Sequence, residues 1–453
     1  MRDLAGIVKA YDIRGVVPDE LDEDVARAVG GAFVEVVGRP VAVVVGHDMR
    51  PSSVPLADAF AAGVTARGTD VVHVGLASTD QLYFASGSLD LPGAMFTASH
   101  NPAQYNGIKL CRAGAAPVGQ DTGLAQIREL AEAGSFDAAS TAGSVTHRDV
   151  LAGYGAYLRD LVDLSAIRQL TVVVDAANGM AGHTVPSVLD VPGLTVVPMF
   201  FELDGSFPNH EANPIDPANL RDLQAAVVER RADLGLAFDG DADRCFVVDE
   251  RGEAVNPSTL TALIAVRELA RVPGAPVVHN LITSRSVPEV VREHGGVPVR
   301  TRVGHSFIKQ TMAETGAVFG GEHSGHFYFR DFWRADSGML AALHALAALG
   351  GEPAGPALSS MLGPYERYVS SGEINSTVQD QAGTMAAVEL AYTGRSGLTV
   401  DHLDGLTVDH GDWWFNVRAS NTEPLLRLNV EAADAATMER VRDEALDLVR
   451  SAT

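Results

Sequence analysis

Three Val-rich runs, each ending in a polar turn, constrain this chain more than any other feature. They are Val41-Ala42-Val43-Val44-Val45 into Gly46-His47-Asp48, Thr171-Val172-Val173-Val174 into Asp175-Ala176-Ala177-Asn178, and Pro276-Val277-Val278 into His279-Asn280. Later in each unit a shorter apolar run ends in a loop rich in reactive side chains. Ala94-Met95-Phe96 leads into Thr97-Ala98-Ser99-His100, and the run 234–238 into Asp239-Gly240-Asp241. Ala317-Val318-Phe319 leads into Gly320-Gly321-Glu322. Continuous apolar strands that alternate with helical patterns predict mixed or parallel sheets covered by helices. One such helix is 220–231, with Leu220, Leu223 and Val227 on one face. Ligands of open α/β sheets gather outside the strand ends, so the three loops are expected to face one central cleft.

After Tyr365 the pattern changes to alternating strands and a final helix over 435–450, which reads as a smaller α+β domain. The fold expected is α/β: three related α/β domains of mixed sheets covered by helices, plus a smaller C-terminal α+β domain. Their expected spans are 1–146, 147–250, 251–365 and 366–453. A length of 453 residues suits three or four domains. Small-residue stretch 133–145 reads as a linker, 249–253 as a hairpin turn and 350–364 as loop. The apolar stretch 339–349, which contains His344, reads as a buried amphipathic helix. It is too short to cross a membrane.

A net charge of −24 argues against nucleic acid and anionic membrane as partners, because both demand a basic surface. It leaves room for a phosphorylated small molecule, which needs only a local cluster of arginine, amides and metal. Cys111 and Cys245 form neither a disulfide framework nor a zinc pattern. With no signal-like segment at Met1-Arg2-Asp3-Leu4, a cytoplasmic location is expected. Nothing reads as a coiled coil or an exposed apolar stripe, so a monomer or small homo-oligomer is expected. Among 34 basic residues only Lys9, Lys109 and Lys309 are lysines, which marks them as places for a compact ammonium.

Asp239-Gly240-Asp241-Ala242-Asp243-Arg244 sets three aspartates at alternate positions after a buried strand. Such hard oxygen ligands suit Mg²⁺ or Ca²⁺. An EF-hand is disfavoured: its sixth place, a glycine, is Arg244, and strands flank the loop where helices belong. A solvated acidic turn is the plain alternative. Arg244 beside the acids fits a guanidinium reaching for a phosphoryl oxygen. Ser99 and His100 sit on a loop broken by Asn101-Pro102, and a polar turn is the plain reading there too. Asn106-Gly107 reads as a hairpin turn that starts the strand carrying Lys109. Arg14-Gly15 could carry a guanidinium into the cleft or form a surface turn. In Gly321-Glu322-His323-Ser324-Gly325-His326, Glu322 and Ser324 suit a polyol ligand. Arg418-Ala419-Ser420-Asn421-Thr422 suits a phosphate nest or an ordinary turn. No hydrolase elbow, Walker loop or dinucleotide fingerprint occurs.

Five segments in chain order, Lys9 to Gly15, Thr97 to Pro102, Asp239 to Arg244, Gly321 to His326 and Arg418 to Thr422, resemble the α-D-phosphohexomutase family, and most closely its phosphomannomutase/phosphoglucomutase branch. The resemblance spans nearly the whole chain. It implies that Ser99 is phosphorylated in the active enzyme and, with Asp239, Asp241 and Asp243, holds one Mg²⁺. It implies that Arg14, His100, Lys109 and Arg244 surround the transferring group. Glu322 and Ser324 would contact the sugar, with His326 a general acid/base. Arg418, Ser420, Asn421 and Thr422 would clamp the second phosphate. The activity implied is interconversion of hexose 1- and 6-phosphates, activated by a hexose 1,6-bisphosphate. Rival readings are a metal-dependent sugar phosphatase and a non-catalytic calcium-binding protein. One departure stands out: where family members often carry a lysine this chain has Ile282, which leaves His305 or Arg285 to supply that contact.

Overall fold

The computed structural model describes residues 3–134, 139–351, 355–420 and 425–451. The first sheet runs in the order Ile13–Val16, Tyr105–Arg112, Gly93–Phe96, Ala42–His47, Asp70–Leu76, Val145–His147, with Ala116–Pro117 added to Tyr105–Arg112. The second runs Cys245–Asp249, Leu234–Phe238, Leu170–Asp175, Leu194–Met199, and the third Val297–Thr301, Pro276–Asn280, Phe319–Gly321, Phe327–Phe329, Ala335–Asp336. One arrangement repeats in all three. The Val-rich strand lies parallel to the strand that carries the reactive loop, and the chain then returns antiparallel beside it. Each reactive loop is therefore a tight reversal at the end of a sheet. The fourth sheet, Val369–Thr377, Leu425–Ala432, Trp413–Ala419, Leu406–Asp409, Thr399–Asp401, is wholly antiparallel. This is the expected architecture of three α/β domains and a smaller α+β one.

The strands are Val-rich because both faces are covered. Val43 and Val45 join Phe33, Phe60 and Phe96 on one side of the first sheet; Val44 and Met95 meet Leu82 on the other. The second and third sheets share one continuous core, and the C-terminal domain has its own, built around Phe415, Val417 and Leu428. No described helix is long and apolar enough to cross a membrane.

Several local expectations fail for physical reasons. Helix Gly338–Gly350 is buried on nearly every side and is not amphipathic. It belongs to the core shared by the second and third sheets and packs against helix Pro257–Arg271 and strand Cys245–Asp249. Asn106-Gly107 is no turn; it lies inside strand Tyr105–Arg112, paired with Ile13–Val16. Asn106 is buried and its amide donates to the Ser52 and Ser53 hydroxyls. A Cβ on Gly107 would stand 2.6 Å from the Ile13 carbonyl oxygen, so the glycine serves close strand approach. Stretch 350–364 contains helix Leu358–Leu362, whose Leu358 and Leu362 are buried. Helix Gln381–Tyr392 interrupts the C-terminal strands, burying Thr384, Val388 and Tyr392 at fourfold spacing.

Leu343 lies fully buried in helix Gly338–Gly350. Leu343→Ala is expected to cost about 2–5 kcal/mol, read as a lower denaturant midpoint for the unit that contains this helix.

Candidate active site

Ser99 stands just past strand Gly93–Phe96 with φ of 51°, in the left-handed region. That conformation is uncommon for serine and must be held by its surroundings. Thr97 Oγ1 accepts from the Ser99 amide at 3.0 Å. The main restraint is Arg50, a fully buried guanidinium behind the loop. Its Nη1 donates to the carbonyls of Pro102 and Tyr105, and its Nη2 to those of Ser99 and Asn101, at 2.6–2.9 Å. Asp48, 3.3 Å from Arg50 Nε, balances the charge. A planar fork of five donors is what one side chain needs to bind four carbonyls at once. Gly240 closes the other side: a Cβ there would lie 2.3 Å from the Ser99 carbonyl oxygen. Sequence reasoning passed over Arg50. Its only signal was its place just after the polar turn of the first Val-rich strand.

The three aspartates converge on Ser99. Asp239 Oδ2 accepts from the Ser99 hydroxyl at 2.7 Å and from Arg244 Nε at 2.8 Å. Asp241 Oδ2 accepts from Thr79 Oγ1 at 2.6 Å and from Lys109 Nζ at 2.7 Å. Lys109 also donates to Asp243 Oδ2 at 2.6 Å. The three offer oxygens within 4.8 Å of one another, and Asp241 Oδ1 and Asp243 Oδ1 are buried without a hydrogen-bond donor. Oxygens of this kind at a tight loop fit a hard divalent cation. Burial and two neighbouring carboxylates push Asp239 up to about 8, against the pull of Arg244. Burial opposes charge on Asp241 as well, yet Lys109 and Thr79 hold it below the ordinary carboxylate range. The EF-hand alternative fails on geometry. The loop joins two strands, and the Glu250 carboxylate is spent on Ser359, accepting from its amide at 3.1 Å.

Cations and imidazoles complete the cluster. Arg244 Nη2 lies 3.3 Å from Ser99 Oγ and contacts His100 Nδ1. His100 Nδ1 is itself 3.2 Å from Ser99 Oγ. Burial, then Arg244 and Arg14, hold His100 well below the usual imidazole range, so the ring is neutral. Arg14 reaches the same loop by donating to Asn101 Oδ1. From the third domain, His326 Nε2 approaches Asp243 Oδ1 at 3.5 Å while its Nδ1 is 2.9 Å from the Ser324 hydroxyl. Glu322 accepts from Asn280, the Gly304 amide and, at 2.6 Å, the Tyr328 hydroxyl. His305 packs 4.6 Å from the Tyr11 ring, and burial, helped by Lys309, lowers it to about 3. Burial raises the Tyr11 hydroxyl, which also senses Glu322 and, in the opposite direction, Arg418.

The third and fourth domains differ in part from expectation. Ile282 is 8 % exposed and packs with Leu281 against Trp414 of the C-terminal domain. Arg285 supplies no free cation, since its amide donates to Glu431 and its guanidinium pairs with Asp409 at 2.9 Å. Arg418 Nη2 donates to Glu373 at 2.8 Å, and the Ser420 amide to the Leu425 carbonyl. Asn421 and Thr422 lie outside the described residues.

Comparison with known proteins gives one family throughout. Residues 5–138, 152–252 and 256–368 match the descriptions "Phosphoglucomutase/phosphomannomutase, alpha/beta/alpha domain I", "domain II" and "domain III", and residues 373–448 match its C-terminal domain. The chain is 42% identical over 445 residues to "Phosphohexose mutases" of Xanthomonas campestris pv. campestris, covering 98% of each chain. It is 38% identical over 448 residues to "Phosphomannomutase/phosphoglucomutase" of Pseudomonas aeruginosa, covering 97% of this chain and 94% of that one. A crystal structure of a phosphoglucomutase/phosphomannomutase family protein from Burkholderia thailandensis superposes with a TM-score of 0.89 at 34% identity, covering 98% of both chains.

Two outcomes follow from the geometry. Asp239 has a folded pKa raised to about 8 from 3.8, so its contribution favours folding below about pH 4 and fades as pH rises to about 8. In chelator-treated protein the stability of the parent chain relative to Asp239→Asn is therefore expected to fall across that window, and equal pH slopes of melting temperature for the two would contradict this. Arg50→Lys leaves one ammonium before four carbonyls. With two or three charge-assisted bonds lost at about 1.5–3 kcal/mol each, amides 99–105 should lose hydrogen-exchange protection and the melting temperature should fall.

Proposed function

The chain belongs to the phosphoglucomutase/phosphomannomutase family, and from that premise we propose that it interconverts mannose 1-phosphate and mannose 6-phosphate, with the glucose phosphates as second substrates. The observation that carries this reading is Ser99 Oγ, held 2.7 Å from Asp239 and 3.3 Å from Arg244 beside three carboxylates. A serine so placed is a carrier of phosphoryl groups. A hydrolase at the same site would release inorganic phosphate, which the assay below distinguishes.

In this reading the phosphoserine P–Oγ bond breaks as a sugar hydroxyl oxygen bonds to phosphorus in line. Asp239, Asp241 and Asp243, with a phosphoserine oxygen, would hold magnesium, which would supply charge neutralisation for the transferring group. Arg244 and Arg14 point guanidinium donors at the same loop, and Lys109 holds Asp241 ionised while donating to Asp243. His326 takes the hydroxyl proton at Nε2, its ring fixed through Nδ1 by Ser324. Neutral His100 accepts from Arg244 without adding charge. Glu322 and Ser324 receive the sugar hydroxyls, with His305 beside them, and Arg418, Ser420, Asn421 and Thr422 clamp the other phosphate. The bisphosphorylated sugar then turns end for end, and its other phosphate returns to Ser99.

Ser99→Ala is expected to abolish conversion of mannose 1-phosphate, assayed with Mg²⁺ and a trace of hexose 1,6-bisphosphate, while leaving sugar-phosphate binding nearly intact. Turnover near that of the parent enzyme, or inorganic phosphate as the product, would sink the proposal.

A further inference from the structure

Beside the aspartate triad lies a second group of donor atoms that phosphoryl transfer does not need as a set. Asp243, His326 and Asp336 come from the second and third domains, and each offers one atom within 4.8 Å of the other two. Asp243 and Asp336 are 1% and 3% exposed. Asp243 Oδ1, the oxygen turned away from Lys109, is buried with no hydrogen-bond donor, and Asp336 Oδ1 has only the ionic contact of Lys309. His326 Nε2 is 3.5 Å from Asp243 Oδ1. Two ligands of one tetrahedral zinc, each bonded at about 2.0–2.1 Å, stand about 3.3 Å apart, so this pair is already spaced as ligands.

Each member is also held from behind, as metal ligands are. Ser324 Oγ, 2.9 Å from His326 Nδ1, leaves Nε2 to face the carboxylates. Lys109 fixes the second oxygen of Asp243 at 2.6 Å. Lys309, at 2.6 Å, fixes Asp336 and is itself seated over the Tyr83 ring at 4.3 Å. One imidazole and two carboxylates form a mixed nitrogen–oxygen set. It differs in kind from the all-oxygen triad, and it matches zinc better than magnesium.

We propose that Asp243, His326 and Asp336 form a second, zinc-selective site that shares Asp243 with the triad. A zinc ion there occupies the nitrogen that would receive the sugar hydroxyl proton, so it inhibits turnover in competition with the sugar phosphate. The inhibition rests on the mutase reading; the binding does not.

The test is equilibrium dialysis of the full-length protein against Zn²⁺ in excess Mg²⁺, with Asp239→Asn, His326→Gln and Asp336→Asn in parallel. The expected result is one zinc per chain that survives Asp239→Asn and is weakened at least about tenfold by each of the other two substitutions. Zinc lost in Asp239→Asn and kept in His326→Gln would place it in the triad and overturn the proposal, as would no zinc at all. X-ray absorption of the zinc-loaded parent chain needs no substitution: a single imidazole in the first shell supports the site, and an all-oxygen shell refutes it. A protein that binds zinc this way but shows no mutase activity would retain the site and discard only the inhibition.

Discussion

The architecture depends on one balance of buried charge. Asp239, Asp241, Asp243 and Asp336 are faced by Lys109, Arg244 and Lys309 in a volume that excludes most water. Isolated, any of these charges would cost several kcal/mol to bury. Together they are tolerable only if three domains meet in register. The first domain brings Lys109 on a rigid strand and Thr79, whose amide donates to the Asp241 carbonyl. The second brings the triad. The third closes over it, with the Cys245 amide donating to the Gly325 carbonyl and Arg244 paired in backbone to His326. Charge neutralisation at this point therefore requires the domains to be in contact, and the core shared by the second and third sheets holds two of them together.

The parts legible in the sequence were those where chemistry is local. The Val-rich strands with polar ends are legible within ten residues, whereas the three aspartates and the Ser-His pair before Asn-Pro each allow an ordinary turn until they are read together with the other segments. The parts that were not legible depend on partners far away. Arg50 looks like any other arginine in a chain that writes nearly all its positive charge that way; only its four carbonyl partners, 49 to 55 residues onward, distinguish it. Asn106-Gly107 obeys turn statistics until the Ser52 and Ser53 hydroxyls and the Ile13 carbonyl claim it. Helix Gly338–Gly350 shows a face to water in no direction because neighbouring elements cover it, which periodicity cannot foresee.

Ile282 shows how an apolar residue at a strand end joins two domains. With Leu281 it gives the third domain an apolar surface, and Trp414 of the fourth domain lies on it. Arg285 then turns outward to Asp409, and Glu431 accepts from both the Arg285 amide and the Trp414 indole. Ile282 and Leu281 thus form, with Trp414, an attachment between the third and fourth domains.

The sparing use of lysine has a consequence for the molecule's reactivity. Guanidinium groups resist acylation and Schiff-base formation, which consume primary amines. Of three lysine amines, Lys109 and Lys309 are enclosed by carboxylates inside the cleft, and Lys9 alone is exposed. Among the described lysines the protein therefore offers almost no outer amine for glycation, and the amines that remain are shielded by the groups they neutralise.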